Sequence, residues 1–200
     1  MRSRATRDKL PYRLLPLNAQ ARSLRGQPAP AERNEAPGKR VTVVLFISGD
    51  HGVIHWETLP EPMTRKLFSA ATVRLRAKVD NNLTYKLIVD NLRSHKRLPA
   101  GTFQHPLVGV EYLPTYAPYL NPTEEAFNVL KSEMIRQLDT RRAAIIATKD
   151  LPRGQKTPAR VSIVTECVTQ SMPVLTPQKV QGFCSHTEAF VLKCASKLPM

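Results

Sequence analysis

Residues 87–96 read Leu-Ile-Val-Asp-Asn-Leu-Arg-Ser-His-Lys, and residues 113–127 read Leu-Pro-Thr-Tyr-Ala-Pro-Tyr-Leu-Asn-Pro-Thr-Glu-Glu-Ala-Phe. In the first segment an apolar run rich in β-branched residues ends at Asp90, which predicts a buried strand with a carboxylate at its C-terminal end. In the second segment a Pro-rich loop leads to Asn121-Pro122, where an amphipathic helix is predicted to begin. Glu124 lies in the first turn of that helix, 34 positions after Asp90. A carboxylate at a strand end and another at a helix start can converge on a divalent metal ion.

Each carboxylate also has a structural interpretation that involves no metal. Asp90 is suited to cap the turn that follows its strand. Asn121, Pro122 and Glu124 are typical of a helix N-terminus, with an Asn cap, a Pro at the first helical position and an acidic residue three positions after the cap, a pattern close to a capping box. Taken singly, each of these alternatives explains its residue.

The chain is strongly basic, with a formal charge of +14 and an isoelectric point near 10.1 for 200 residues. This excess of positive charge predicts a nucleic-acid partner. The alternative interpretation is a soluble basic protein that binds no nucleic acid. No run of 18 or more apolar residues is present, so we expect no membrane partner. The three cysteines form no C-x-x-C pair, which favours a reducing compartment.

Half of the charge excess lies in residues 1–40, which carry ten Lys or Arg and only three acidic residues. We interpret this segment as a basic, weakly ordered arm. The arm is predicted to follow the phosphate backbone of a nucleic acid. The alternative interpretation is a solvated tail with no dedicated partner. The residues predicted to bind nucleic acid are Arg2, Arg4, Arg7, Lys9, Arg13 and, after the strand that ends at Asp90, Lys96.

Residues 41–140 are predicted to form an α/β core, a mixed sheet flanked by helices. Val41–Ser48 and Val53–Leu59 are strands joined by a glycine-rich turn, which predicts a β-hairpin. A helix over Met63–Val79, the strand that ends at Asp90 and a short helix after Asn91 follow. Residues 141–200 are predicted to form a helical C-terminal extension of the same domain.

The two quoted segments resemble the mariner-type cut-and-paste DNA transposases and their bacterial insertion-sequence relatives, within the DDE endonuclease superfamily. That family has a strand that ends in Asp-Asn-Ala-x-x-His-Lys, followed about thirty residues later by Leu-Pro-Pro-Tyr-Ser-Pro-x-Leu-Asn-Pro-Ile-Glu-x-x-Trp. The matching residues here are Asp90, Asn91, His95, Lys96, Leu113, Pro114, Tyr116, Pro118, Leu120, Asn121, Pro122 and Glu124, with Phe127 where the family often has Trp. Their joint occurrence favours the family's active site over the separate structural interpretations.

The resemblance implies a ribonuclease-H-like fold and Mg²⁺-dependent or Mn²⁺-dependent cleavage and transfer of DNA strands. It makes Asp90 and Glu124 catalytic metal ligands, with Asn91, His95 and Asn121 in supporting roles. It implies DNA as the partner and allows a homodimer. For a eukaryotic protein it implies a nuclear location, and otherwise a cytoplasmic one.

The family's first carboxylate has no clear match, because no hydrophobic strand ending in Asp precedes Val41. Asp8 is the candidate third ligand, but Arg2-Ser3-Arg4-Ala5-Thr6-Arg7 before it argues against a central buried strand. We therefore expect the first catalytic strand to be missing, the chain to be incomplete at its N-terminus, and cleavage to be weak or absent. The alternative function is a non-catalytic, nucleic-acid-binding remnant or a domesticated transposase-derived protein.

Overall fold

A five-stranded mixed sheet forms the centre of the molecule. The computed structural model describes residues 4–13, 40–115 and 117–196, with only the backbone described at residues 4–13, 40, 118 and 193–195. The sheet order is β3-β2-β1-β4-β5, in which β1 is antiparallel to β2 and parallel to β4. The β2–β3 pair is antiparallel and the β4–β5 pair is parallel. The strands are β1 (Arg4–Arg13), β2 (Arg40–Ser48), β3 (Gly52–Leu59), β4 (Tyr85–Val89) and β5 (Leu107–Tyr112).

Helices cover both faces of this sheet, and the C-terminal part of the described chain is helical, as predicted. The helices are α1 (Arg65–Arg76), α2 (Pro122–Thr140), α3 (Arg142–Ala147), α4 (Lys156–Ser171) and α5 (Pro177–Ala195). Single 3-10 turns lie at Arg93–His95, Pro118–Leu120, Thr148–Asp150 and Met172–Val174. Within the described ranges, no helix combines the length and the apolar character needed to cross a membrane.

Strand β2 explains how the two faces are built. Its residues Val41, Val43, Leu45 and Ile47 pack in one cluster with α2, α4 and α5. The alternate residues Val44 and Phe46 pack in a second cluster with α1 and β4. Because successive side chains of a strand point to opposite faces, a strand covered on both faces is expected to be apolar along most of its length. The apolar run at residues 43–47 of β2 therefore reflects its place between two layers of helices.

The predicted hairpin is confirmed, because β2 and β3 pair in antiparallel register from Thr42–Leu59 to Ser48–Gly52. Gly52 has a φ of +70°, which glycine adopts without steric cost. A Cβ atom at that position would also lie 3.1 Å from the Cα of Pro177, the first residue of α5. The absence of a side chain at Gly52 thus allows both the turn and the close approach of α5.

The predicted short helix after Asn91 is reduced to one 3-10 turn, Arg93–His95. The backbone of Lys96 is extended (φ −95°, ψ 155°), which ends the turn there. Arg97 has a positive φ of +51°, and Leu98 precedes a proline. Neither the extended nor the left-handed conformation continues a right-handed helix, and a residue before proline is also biased away from it.

Strand β1 corrects the expectation that the first strand is missing. Residues 4–13, which their composition assigns to a weakly ordered arm, lie in the middle of the sheet between β2 and β4. The expectation of a missing first strand is wrong, because β1 precedes β2 in the chain and pairs with both β2 and β4. Pairing with β4 extends only from Arg4 to Arg7, whereas pairing with β2 continues to Arg13. Most of β1 therefore has a strand on one side only, and its backbone hydrogen bonds form irrespective of side-chain polarity. Residues 1–3 and 14–39 of the predicted arm lie outside the described residues.

Candidate active site at the end of β4

Asp90 directly follows β4, where the first sequence segment predicts a carboxylate. Its Oδ1 contacts Nδ1 of His95, and the Asp90 side chain is 26% exposed. His95 is fully buried, and its ring packs against Phe68 of α1 with 4.4 Å between ring centroids. The hydroxyl of Tyr112 donates a hydrogen bond of 2.8 Å to the backbone oxygen of His95. Asp90 is thus partly open to solvent but has a rigidly held neighbour, as metal-ligating carboxylates commonly do.

The two quoted segments meet at this end of the sheet. The Asn91 side-chain amide donates to the backbone oxygen of Leu113 at 2.9 Å, and the Leu113 amide donates to the backbone oxygen of Val89 at 2.8 Å. Asn91 therefore connects the strand that ends at Asp90 with the loop that leads to α2. This contact gives a structural basis for the predicted supporting role of Asn91.

Helix α2 begins as predicted, with Asn121 as its N-cap and Pro122 at its first position. Oδ1 of Asn121 accepts hydrogen bonds from the Thr123 amide at 3.2 Å and the Thr123 hydroxyl at 2.6 Å. Asn121 is buried, whereas Glu124 is exposed in the first helical turn. The cap accounts for Asn121 and leaves the carboxylate of Glu124 at the surface, where a ligand can reach it.

Glu125, the acidic residue beside Glu124, has a different environment. Its Oε1 lies 2.6 Å from Nδ1 of His186 on α5. The His186 ring in turn packs edge-on against Phe190, with 4.9 Å between centroids. Glu125 therefore joins α2 to α5. Of the two neighbouring carboxylates, Glu124 is the one whose position in the sequence matches the third acidic residue of the family that the sequence resembles.

We expect Asn121→Ala to lower the free energy of unfolding by about 1 kcal/mol, because it removes the oxygen that caps α2. Urea denaturation followed by circular dichroism measures this loss. The matched control is Asn128→Ala on the exposed side of the same helix. The control should be neutral or slightly stabilising, because alanine is the better helix former. Equal losses in both variants would show that the cap contributes nothing specific.

Asp8 lies on β1 in register with this site. The β1–β4 pairing ends at Arg7 with Val89, so the next step along the two parallel strands brings Asp8 level with Asp90. On its other side Asp8 pairs with Leu45, which belongs to the cluster that contains α2. The expectation that Asp8 lies outside any central strand is therefore wrong. No three His, Cys, Asp or Glu side chains cluster within metal-binding distance among those described, a set that does not include the Asp8 side chain.

The predicted nucleic-acid-binding residues fall into two groups. Lys96 is exposed, with its ammonium 6.0 Å from the centroid of the Tyr112 ring. The remaining residues belong to the N-terminal segment, where Arg4, Arg7, Lys9 and Arg13 lie on β1 and Arg2 falls outside the described residues. The residues on β1 are therefore part of the sheet instead of a flexible arm. Tyr116, part of the second segment, is also outside the described residues.

Sequence reasoning missed two residues that hold this site together, Phe68 and Tyr112. Phe68 contacts His95 from α1, and Tyr112 contacts both His95 and Lys96 from β5. Burial raises the pKa of the Tyr112 phenol above its usual value. The helical periodicity around Phe68 indicated only a core position. Nothing in the spacing of Tyr112 indicated its partners.

The model of the DDE superfamily endonuclease family matches residues 6–145, a segment that contains Asp8, Asp90 and Glu124. No curated protein matches the sequence.

Among solved structures, the Mos1 mariner paired end complex with Mn has a TM-score of 0.52 at 15% identity, over 92% of this chain and 55% of that one. The Mos1 transposase paired-end complex with left transposon end has a TM-score of 0.49 at 17% identity, over 84% of this chain and 55% of that one. The chain thus spans about half the length of the Mos1 chains. The first of these likenesses confirms the predicted ribonuclease-H-like fold. Because the family model matches well over half of the residues, the chain belongs to the DDE superfamily endonucleases.

Proposed function

We propose that this chain is the endonuclease unit of a mariner-like transposase, which cuts and joins DNA strands at Asp8, Asp90 and Glu124. The observation that carries the proposal is the parallel register of β1 and β4, which pairs Arg7 with Val89 and so brings Asp8 level with Asp90, the residue that follows β4. Helix α2, with Glu124 in its first turn, packs against the same sheet through Ala126, Phe127 and Leu130. This arrangement removes the reason for expecting an inactive chain, because a candidate for the first carboxylate now has a strand.

The donor set fits Mg²⁺ or Mn²⁺. All three candidate ligands are carboxylates, and hard divalent ions prefer oxygen ligands. The buried His95 that contacts Asp90 is the kind of outer partner that orients a ligating carboxylate. Asp8, Asp90 and Glu124 would hold the ion, which when bound neutralises charge on the attacking and leaving oxygens of a phosphodiester.

The residues of the chain have separate tasks in this reaction. Cleavage forms a bond between phosphorus and a water oxygen and breaks one P–O bond of the backbone. In the strand-joining step, a 3′-hydroxyl group takes the place of the water. His95 and Asn91 fix the end of β4 and so orient Asp90. Asn121 fixes the first turn of α2 and so orients Glu124. Orientation of this kind lowers the barrier because the ligands need no rearrangement during the reaction.

The proposal extends to assembly on DNA. The Mos1 structures above are paired-end complexes, and by that likeness we propose that two copies of this chain act together on DNA. The formal charge of +14 supports DNA as the partner, since it favours association with a polyanion.

The test is nicking of a supercoiled plasmid by the purified chain in Mg²⁺, in Mn²⁺ or in EDTA. We expect nicked product with either metal and none in EDTA. Glu124→Gln should remove the activity, whereas Glu125→Gln, which removes only the negative charge that faces His186, should retain most of it. A protein that binds the plasmid without nicking it in either metal would instead be the non-catalytic nucleic-acid-binding protein.

A further inference from the structure

Three basic residues lie in the loop that follows Asp90, which we call the basic loop, residues 93–97. Arg93, Lys96 and Arg97 are all exposed. No ion pair joins any of them to a carboxylate among the described residues. Two other cations near the sheet, in contrast, are paired: Arg74 with Glu57 at 2.8 Å, and Lys86 with Glu111 at 2.6 Å. The basic loop thus presents charge that the described part of the fold does not neutralise.

The basic loop is held firmly at its centre. His95 is fully buried against Phe68, and its backbone oxygen accepts the hydrogen bond from Tyr112. Helix α1 on one side and the end of β5 on the other therefore fix the backbone between Arg93 and Lys96. Long charged side chains on a fixed backbone lose less entropy when they bind a ligand than those on a mobile loop.

The basic loop also contains an unusual backbone conformation. Arg97 has a φ of +51°, in the left-handed region that residues other than glycine, Asn and Asp rarely occupy. An arginine gains nothing there that a glycine would not provide with less strain. Backbone strain of this kind clusters at active sites and ligand-binding sites.

We infer that the basic loop binds the phosphate backbone of DNA immediately beside Asp90. The inference rests on the proposed function and deepens it, since it names a surface that holds the DNA next to the reacting carboxylate. Unpaired cations on a fixed backbone suit phosphates, which carry one negative charge each along the strand. The basic loop would position the backbone without reading sequence, because phosphate contacts carry no base information.

The test measures binding of a fluorescent duplex by anisotropy, in EDTA, over a series of KCl concentrations. The triple variant Arg93→Gln, Lys96→Gln, Arg97→Gln should lower the slope of log K against log salt by roughly two to three, because each phosphate that a cation neutralises adds about 0.9 to that slope. The matched control removes three exposed cations near α3, with Arg142→Gln, Lys149→Gln and Arg153→Gln. The control should leave the slope within error of the wild type. Equal slopes for the triple variant and the wild type, or equal reductions in both variants, would overturn the inference.

The single variant Arg97→Gly keeps the inference testable if the triple variant folds poorly. Its melting temperature should be no lower than that of the wild type, because glycine adopts a φ of +51° without strain. Its salt slope should nevertheless fall by about 0.9. A variant with unchanged stability and an unchanged slope would show that Arg97 does not touch DNA. Because these measurements are made without metal, they stand apart from the nicking assay, whose failure would reject catalysis and leave the binding result intact.

Discussion

Asp8→Asn is expected to remove metal-dependent nicking as completely as Asp90→Asn does. Asp8 on β1 is level with Asp90 at the end of the parallel strand β4, so an ion held between these two positions would draw on both carboxylates. Replacement of either carboxylate by an amide keeps the shape of the side chain but removes its negative charge. Product should fall to the level of the EDTA control in both variants. This loss exceeds the roughly 10- to 100-fold reduction that follows removal of an outer-shell partner.

The measurement is the initial rate of plasmid nicking in Mn²⁺, with circular dichroism to verify folding. The matched control is Asp80→Asn, which makes the same chemical change at an exposed aspartate in the turn before β4. The side chain of Asp80 accepts hydrogen bonds from Asn82, within its own turn. We expect its rate to match that of the wild type. If Asp8→Asn also kept the wild-type rate while Asp90→Asn lost it, Asp8 would be a strand residue without a catalytic role.

The parts of this fold that sequence patterns predict are those formed by local interactions. The hairpin of β2 and β3 follows from two apolar runs joined by a glycine-rich turn, and the structure confirms it. The start of α2 follows from Asn121-Pro122, and the cap is present. Such elements depend on residues within a few positions of one another, which a linear pattern records directly.

Strand β1 shows where such reasoning fails. Its sequence, Arg-Ala-Thr-Arg-Asp-Lys-Leu-Pro-Tyr-Arg, has neither the apolar run of a doubly covered strand nor a clean alternation. What makes it a strand is backbone pairing with partners far along the chain, Leu45 on one side and the end of β4 on the other. No local pattern encodes a partner so distant.

The same limit applies to the candidate site. Asp90 and Glu124 are predictable because a strand end and a helix start leave local signals. The partners of His95 and Lys96 are not predictable from such local signals, because Phe68 and Tyr112 reach them from α1 and β5 across the fold. The level position of Asp8 and Asp90 also depends on a parallel register between strands that are separated by a hairpin and a helix. The carboxylates therefore have a sequence signal, whereas the groups that orient them do not.

Phe127→Ala is expected to cost about 3–5 kcal/mol of unfolding free energy, the usual range when a fully packed phenylalanine is truncated. Phe127 is 2% exposed, and it packs with Leu130 of the same helix and with β2. Its removal leaves a cavity where α2 meets the sheet. A loss of this size is a large fraction of the roughly 5–15 kcal/mol that holds a domain folded.

Urea denaturation measures the effect, with Lys131→Ala on the exposed side of α2 as the control. The control should stay within about 0.5 kcal/mol of the wild type, as surface substitutions usually do. Phe127→Leu should fall between the two, because it removes less volume. Since α2 carries Glu124, a loosened helix would also slow nicking, whereas Glu124→Gln should stop nicking with the midpoint of unfolding unchanged. A Phe127→Ala variant as stable as the wild type would mean that α2 does not depend on this contact, and that Glu124 is held in place by its cap and its remaining apolar residues.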